Sequence, residues 1–254
     1  MYDETLASVP MEKETVVISI GGSIVAPPSL DVTYIDSLAR LLADLAKQRR
    51  VFCVTGGGWV ARQYIEAART FGAGEEELDL IGIAATRINA QLLIAALSKY
   101  TQVPVRPMAS VEATVESAEG FNIAVMGGTF PGHSTDYVGV ELASHTKAVR
   151  FVNATNVDGV YSADPNVVAT AEFYKEISID ALIKMMGTEW KMAGTKSVID
   201  GPACALIKQH GVKTFVVNGK NLPEFAKAIR GEPYHGTVIT TTPPKQTTAP
   251  IAKK

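Results

Sequence analysis

Cysteine is scarce, charge is nearly balanced, and no long apolar run is unbroken. The chain has two cysteines in 254 residues. Cys53 in "VFCV" and Cys204 in "GPACALI" carry no CxxC or Cys/His ligand spacing, which argues against a disulfide scaffold and a zinc site. Both are expected to be buried thiols. The net charge is −2, 20% of residues are charged and 46% hydrophobic. No long block of one sign occurs, so neither a broad basic nucleic-acid surface nor a disordered chain is indicated. The basic cluster "KQRR", Lys47 to Arg50, fits a helix C-terminus, whose free carbonyls favour cations. The apolar stretch from Leu78 to Leu97 is interrupted by Asp79, Arg87, Asn89 and Gln91, and the opening "MYDETLASVPMEKE" lacks a signal-peptide core. A cytoplasmic protein is expected, with no membrane and no nucleic-acid polymer as partner. A Walker A loop is missing too, since "MAGTKS" has no glycine beside its lysine.

What is present is an alternation. "TVVISI" precedes Ile35, Leu38, Leu41, Leu42 and Leu45 at helical spacing. "VFCVT" precedes a helical segment from Trp59 to Phe71, "NIAVM" one from Thr135 to His145, and "KTFVV" one from Leu222 to Ile229. "AVRFVNAT" leads into an irregular stretch. Strand and helix in alternation predict an α/β fold with a mostly parallel sheet covered on both faces. The segment from Asn156 to Thr195 breaks the rhythm with turns at "VDG" and "ADPN" and a helix around Ile179 to Met186; a second lobe of the same sheet is expected there. Beyond Thr240 the chain reads as a disordered tail.

Three glycine clusters follow predicted strands: "GGS" at Gly21 to Ser23, "GGG" at Gly56 to Gly58, and Gly127 with Gly128. In a parallel sheet these loops share the carboxyl edge, where ligands bind. Glycine lets backbone approach a phosphate, and the helix N-termini beyond supply N–H donors. "GGGWVA" also fits a dinucleotide pattern through Gly56, Gly58 and Ala61, with acidic residues about 20 positions on, but that leaves the other two loops unexplained. Arg62 is expected in the first turn of its helix, where a cation opposes the dipole unless an anionic ligand compensates. Asp79, Thr86, Arg87 and Asn89 are polar residues in an otherwise apolar helix, so they either bond internally or line a site. "MGGTFPGHSTD", Met126 to Asp136, closes a turn ahead of a helix start, with Asp136 complementing that helix dipole.

Taken together, "IGGSIV", "TGGGWVARQYIEAAR", "LDLIGIAATRINAQLLIAAL", "VMGGTFPGHSTD", "TNVDGVYSADP" and "SVIDGPA" resemble the amino-acid kinase superfamily, and within it the archaeal type of UMP kinase. The resemblance runs from about Ile18 to Ile239. It implies a three-layer αβα sandwich, with one domain over 14–240: an acceptor lobe over roughly 14–150 and an ATP lobe over roughly 151–240. An N-terminal extension (1–13) and a tail (241–254) flank it. It also implies transfer of the ATP γ-phosphoryl to UMP with Mg²⁺, and assembly as a homohexamer. By motif, Gly57, Asp79, Thr129, Phe130, Pro131, Gly132, His133, Ser134 and Thr135 would hold UMP. Gly22, Ser23, Gly58 and Arg62 would face the ATP phosphates, and Thr155, Asn156, Tyr161 and Asp164 the adenosine.

One position departs from the wider family, where many members carry a lysine at Ser19. Arg62 and Mg²⁺ would then supply the positive field, and Asp158 is the candidate for organising metal and phosphates. Lys191 and Lys196 are further candidate cations, though a solvated helix face explains them as well. No residue is assigned as a direct metal ligand. A noncatalytic nucleotide-binding or storage protein on the same fold is the competing class, and a kinase with a different acceptor the competing enzyme.

Overall fold

A computed structural model describes residues 13–188 and 198–241. Residues 1–12 of the expected extension, 242–254 of the expected tail, and Lys191 and Lys196 lie outside them. The first half runs β1 (Thr15–Ile20), α1 (Gly22–Val25), α2 (Val32–Ala46), β2 (Arg50–Thr55), α3 (Gly58–Thr70), α4 (Glu75–Leu97), α5 (Val111–Ser117), β3 (Ile123–Met126) and α6 (Thr135–His145). The second half runs β4 (Arg150–Thr155), β5 (Val160–Tyr161), β6 (Phe173–Tyr174), β7 (Glu176–Ser178), α7 (Ile179–Met186), α8 (Gly201–His210), β8 (Thr214–Asn218), α9 (Leu222–Arg230) and β9 (Thr237–Thr240).

One seven-stranded sheet has the order β3-β2-β1-β4-β8-β9-β7. The first five strands are parallel; Val17 on β1 lies between Phe52 on β2 and Phe151 on β4. β9 runs antiparallel to β8, and β7 parallel to β9. Because successive side chains alternate faces, β1 feeds two cores. Val16, Ile18 and Ile20 pack with Leu38, Leu42, Leu93 and Phe225 under α2, α4 and α9. Val17 packs on the other face with Val138, Leu142, Cys204 and Ile207 under α6 and α8. Burial on both faces is why these strands read as continuous apolar runs. Burial also pushes the thiols of Cys53 on β2 and Cys204 on α8 up to about 12, with the charges of Asp200 and Asp136 adding to it at Cys204.

The irregular segment divides. β5 and β6 form a separate antiparallel ribbon, while β7 extends the main sheet. The basic cluster divides as well: Lys47 caps α2 and pairs with Asp44 at 3.0 Å, but Arg50 already begins β2. By length and composition alone α4 could cross a membrane, yet Leu78, Leu93, Ile94 and Leu97 on it are buried in the protein.

α6 reaches the sheet through Gly139, where an added Cβ would lie 2.5 Å from Cε2 of the fully buried Phe151 ring. Helix propensity alone would make Gly139→Ala stabilising by ~1 kcal/mol. The clash reverses the sign, because a fully buried ring must shift to make room. Urea titration should therefore show a loss of ~1–3 kcal/mol, partly recovered by adding Phe151→Leu. A raised midpoint in the single variant would contradict this packing.

Candidate active site

The glycine loops converge at the carboxyl edge of the sheet, and the glycines have architectural reasons first. A Cβ on Gly22 would lie 2.1 Å from the Gly58 nitrogen, and one on Gly56 would lie 2.4 Å from the Gly22 nitrogen. The first two loops therefore touch backbone to backbone, which only glycine allows. This contact accounts for the Gly56 and Gly58 pattern without a dinucleotide. A Cβ on Gly127 would lie 2.6 Å from Thr86 Oγ1.

α4 ties the second and third loops together. Asn89 Nδ2 donates to the carbonyls of Gly56 and Gly57 at 2.8 and 3.0 Å. Thr86 Oγ1 accepts from the Gly128 N–H at 2.7 Å, and the Thr86 carbonyl accepts from Thr55 Oγ1 at 2.9 Å. Arg87 donates to the carbonyls of Gly128 and Thr129 at 3.2 and 3.0 Å. Asp79 Oδ2 accepts from the Gly132 N–H at 2.7 Å, holding a residue at φ +83°. Asp79, Thr86, Arg87 and Asn89 thus all bond internally, and their partners are the loops of the site itself.

The third loop ends at α6. Ser134 caps the helix by accepting from the Tyr137 N–H at 3.0 Å and donates its own proton to Asp200. Its proton is thus directed to Asp200, and one acceptor site of the hydroxyl remains beyond the cap. The His133 ring stacks on Tyr137 at 4.0 Å and meets Phe130 edge-on at 4.3 Å. Burial lowers its pKa, opposed by the charges of Asp200 and Asp79. Thr129 Oγ1 and His133 Nδ1 are buried without a hydrogen-bond partner among the described residues. Buried polar atoms of this kind call for a partner that the folded chain does not supply.

A carboxylate pair lies beside this loop. Asp136, the second residue of α6, accepts from Ser19 Oγ at 2.8 Å. Asp200 is the N-cap of α8, accepting from the Ala203 N–H at 3.0 Å. Burial, then the charge of Asp200, pushes Asp136 up to about 7, against hydrogen bonds from Ser19 and Asn153 that favour the anion. Two acids at one helix-rimmed point are what a hard cation would stabilise, and Mg²⁺ needs only one or two carboxylates beside substrate phosphates. The sequence assigns Asp136 only to the helix dipole and gives Asp200 no role, although Asp200 lies in the "SVIDGPA" stretch, ahead of Gly-Pro at a helix start.

Arg62 is the fifth residue of α3, past the first turn where it was expected, and is partly exposed with no ion-pair partner among the described residues. Asp158 is not gathered with the carboxylate pair. It accepts from Asn218 Nδ2 at 2.9 Å and faces His235 at 3.7 Å. Tyr161, Phe173 and His235 form an aromatic row with centroids 5.3 and 5.2 Å apart. Thr155 and Asn156 close the β4 end, with Oγ1 donating to Oδ1 at 3.4 Å. Asp164 is exposed and holds a turn by accepting from the Asn166 N–H at 2.9 Å. Gly22 and Ser23 open the short α1, and Gly57 is the N-cap of α3.

A family model described as the amino acid kinase family matches residues 14–218. A curated uridylate kinase of Archaeoglobus fulgidus is 45% identical over 226 residues, covering 88% of this chain and 99% of its own. One from Methanobrevibacter smithii is 40% identical over 227 residues, covering 89% and 99%. The crystal structure of the Archaeoglobus fulgidus uridylate kinase is similar at a TM-score of 0.78 with 41% identity, covering 89% of this chain and 99% of that one. A UMP kinase structure from Ureaplasma parvum, at 24% identity and a TM-score of 0.74, shares the fold.

The raised Asp136 pKa fixes a sign. The folded state binds this proton more tightly than the unfolded state, so the stabilisation is complete below the ordinary value of 3.8 and is lost as pH rises through about 7. Melting temperatures measured from pH 5 to 8 should fall in the unsubstituted protein and stay flatter in Asp136→Asn, with the variant more stable at pH 8. Parallel curves would contradict the burial of this charge.

Proposed function

The chain belongs to the amino acid kinase family, and on that premise we propose that it is a UMP kinase, transferring the γ-phosphoryl of ATP to UMP to give UDP and ADP. The geometry that carries this reading is the third loop, where Thr129 Oγ1 and His133 Nδ1, without a partner among the described residues, lie in one short segment with Ser134 and Asp136, which contact Asp200 and Ser19. Full-length likeness to curated uridylate kinases supports the same acceptor.

Each residue then has a task. The backbone N–H groups at the start of α6 face the UMP phosphate with the positive end of the helix dipole. Asp79 spends Oδ2 on Gly132 and retains Oδ1 for ribose hydroxyls. Phe130, Pro131 and Gly132 wall the base, with Gly57 beside them. Gly22, Ser23, Gly58 and Arg62 face the ATP phosphates; Tyr161, Thr155, Asn156 and Asp164 line the adenosine side, where Asp158 anchors Asn218. The acceptor phosphate has a second pKa of about 6, so it is already an anion at neutral pH. No general base is required, and catalysis reduces to alignment and charge offset.

Asp136 and Asp200 are the residues fitted to hold Mg²⁺ together with ATP oxygens. Mg²⁺ there would neutralise charge developing on the phosphates. Ser19, in place of a lysine, hydrogen-bonds Asp136 and brings no charge, so Arg62 is the side-chain cation of this half. The reading extends to one domain with an acceptor lobe and an ATP lobe, a homohexamer, and a cytoplasmic role in pyrimidine nucleotide synthesis.

A coupled ADP-release assay with Mg-ATP against UMP, CMP, dUMP, isopentenyl phosphate and acetylglutamate should give turnover selective for UMP. Tight ATP binding without turnover on any acceptor would favour the noncatalytic class instead. In single-turnover experiments Arg62→Ala should slow the chemical step by about 10²-fold or more. An unchanged rate would remove Arg62 from the mechanism.

A further inference from the structure

Resting on the UMP kinase reading, we propose that Arg87 is a positioning residue for the acceptor nucleotide, acting through the backbone of the Gly128–Gly132 loop. Arg87 directs Nε to the Gly128 carbonyl at 3.2 Å and Nη2 to the Thr129 carbonyl at 3.0 Å, with Nη2 also 3.5 Å from the Ala109 carbonyl. A planar fork of donors meets consecutive carbonyls in one fixed geometry, which a lysine ammonium cannot reproduce. A charged donor also makes these bonds stronger than neutral ones.

The Gly128 peptide group is held on both sides, since its N–H goes to Thr86 Oγ1 and its carbonyl to Arg87. The far end of the loop is held by Asp79 at Gly132. Between these two anchors on one helix lies Thr129, whose carbonyl is fixed by Arg87 and whose Oγ1 is buried without a partner among the described residues. Fixing the carbonyl fixes the Thr129 backbone, and a β-branched side chain in a buried position then has few rotamers open to its hydroxyl. Arg87 therefore delivers Thr129 Oγ1 to the acceptor while its own charge is spent on neutral carbonyls.

Steady-state kinetics of Arg87→Ala, Arg87→Lys, Thr129→Val and the Arg87→Ala/Thr129→Val pair test this. Arg87→Ala should raise the KM for UMP by about 10- to 100-fold, as loss of an oriented hydrogen bond does. The KM for ATP and kcat at saturating UMP should stay within about threefold, a split that general loosening would not give. Arg87→Lys should recover little, and the double variant should be no worse than the weaker single, because both act on one contact. If Arg87→Ala fails to fold, Arg87→Lys carries the same comparison. An unchanged KM for UMP, an equal rise for ATP, or additive losses would overturn the proposal alone. Absence of UMP turnover in the unsubstituted protein would instead overturn the parent reading, and the proposal with it.

Discussion

Chain that leaves a parallel sheet at its carboxyl edge carries N–H and C=O groups with no strand beside them, and each must find a partner. In this protein one helix supplies several of those partners. Asn89 satisfies carbonyls of the second loop, Thr86 and Arg87 satisfy both polar groups of Gly128, and Asp79 satisfies the N–H of Gly132. The loops that the kinase reading assigns to phosphate and nucleotide are thus set by hydrogen bonds inside the protein. Preorganisation of that kind matters because phosphoryl transfer offers a protein little covalent chemistry and rewards alignment.

The same demand explains an oddity of α4. Its composition is apolar enough for a membrane span, while its polar residues cluster within a few turns. Apolar side chains at Leu93, Ile94 and Leu97 hold the helix against the sheet, and the polar ones fasten the loops. Electrostatics divide along the same edge. Asp136 and Asp200 lie at the starts of α6 and α8, and burial first, then the charge of Asp200, raises the Asp136 pKa to about 7.

Much of this was legible in the sequence. The helix α6 runs from Thr135 to His145 and α7 from Ile179 to Met186, matching the apolar spacing because their boundaries coincide with serine caps at Ser134 and Ser178. Glycines after strands signalled where the loops at the carboxyl edge touch one another, since that contact demands the absence of a side chain. The charge constellation was not legible. Asp200 reaches Ser134 across 66 residues, and nothing in local pattern announces that pairing. Asp158 reads as suited to the phosphates because turn and site chemistry use the same residue types; in the fold it also accepts a hydrogen bond from Asn218, a partner 60 residues away. Arg62 was placed one turn early because the helix starts at Gly58, within the glycine run.

Hydrogen exchange resolved at individual amides, comparing the unsubstituted protein with Thr86→Val, tests the central claim most directly. Removing Oγ1 deprives the Gly128 N–H of its acceptor while keeping the side-chain shape. The account predicts faster exchange across Gly127–Gly132 together with Gly56–Gly58, with β8 and β9 unaffected. Protection unchanged in both loops, or lost throughout the sheet, would contradict a site held in register by α4.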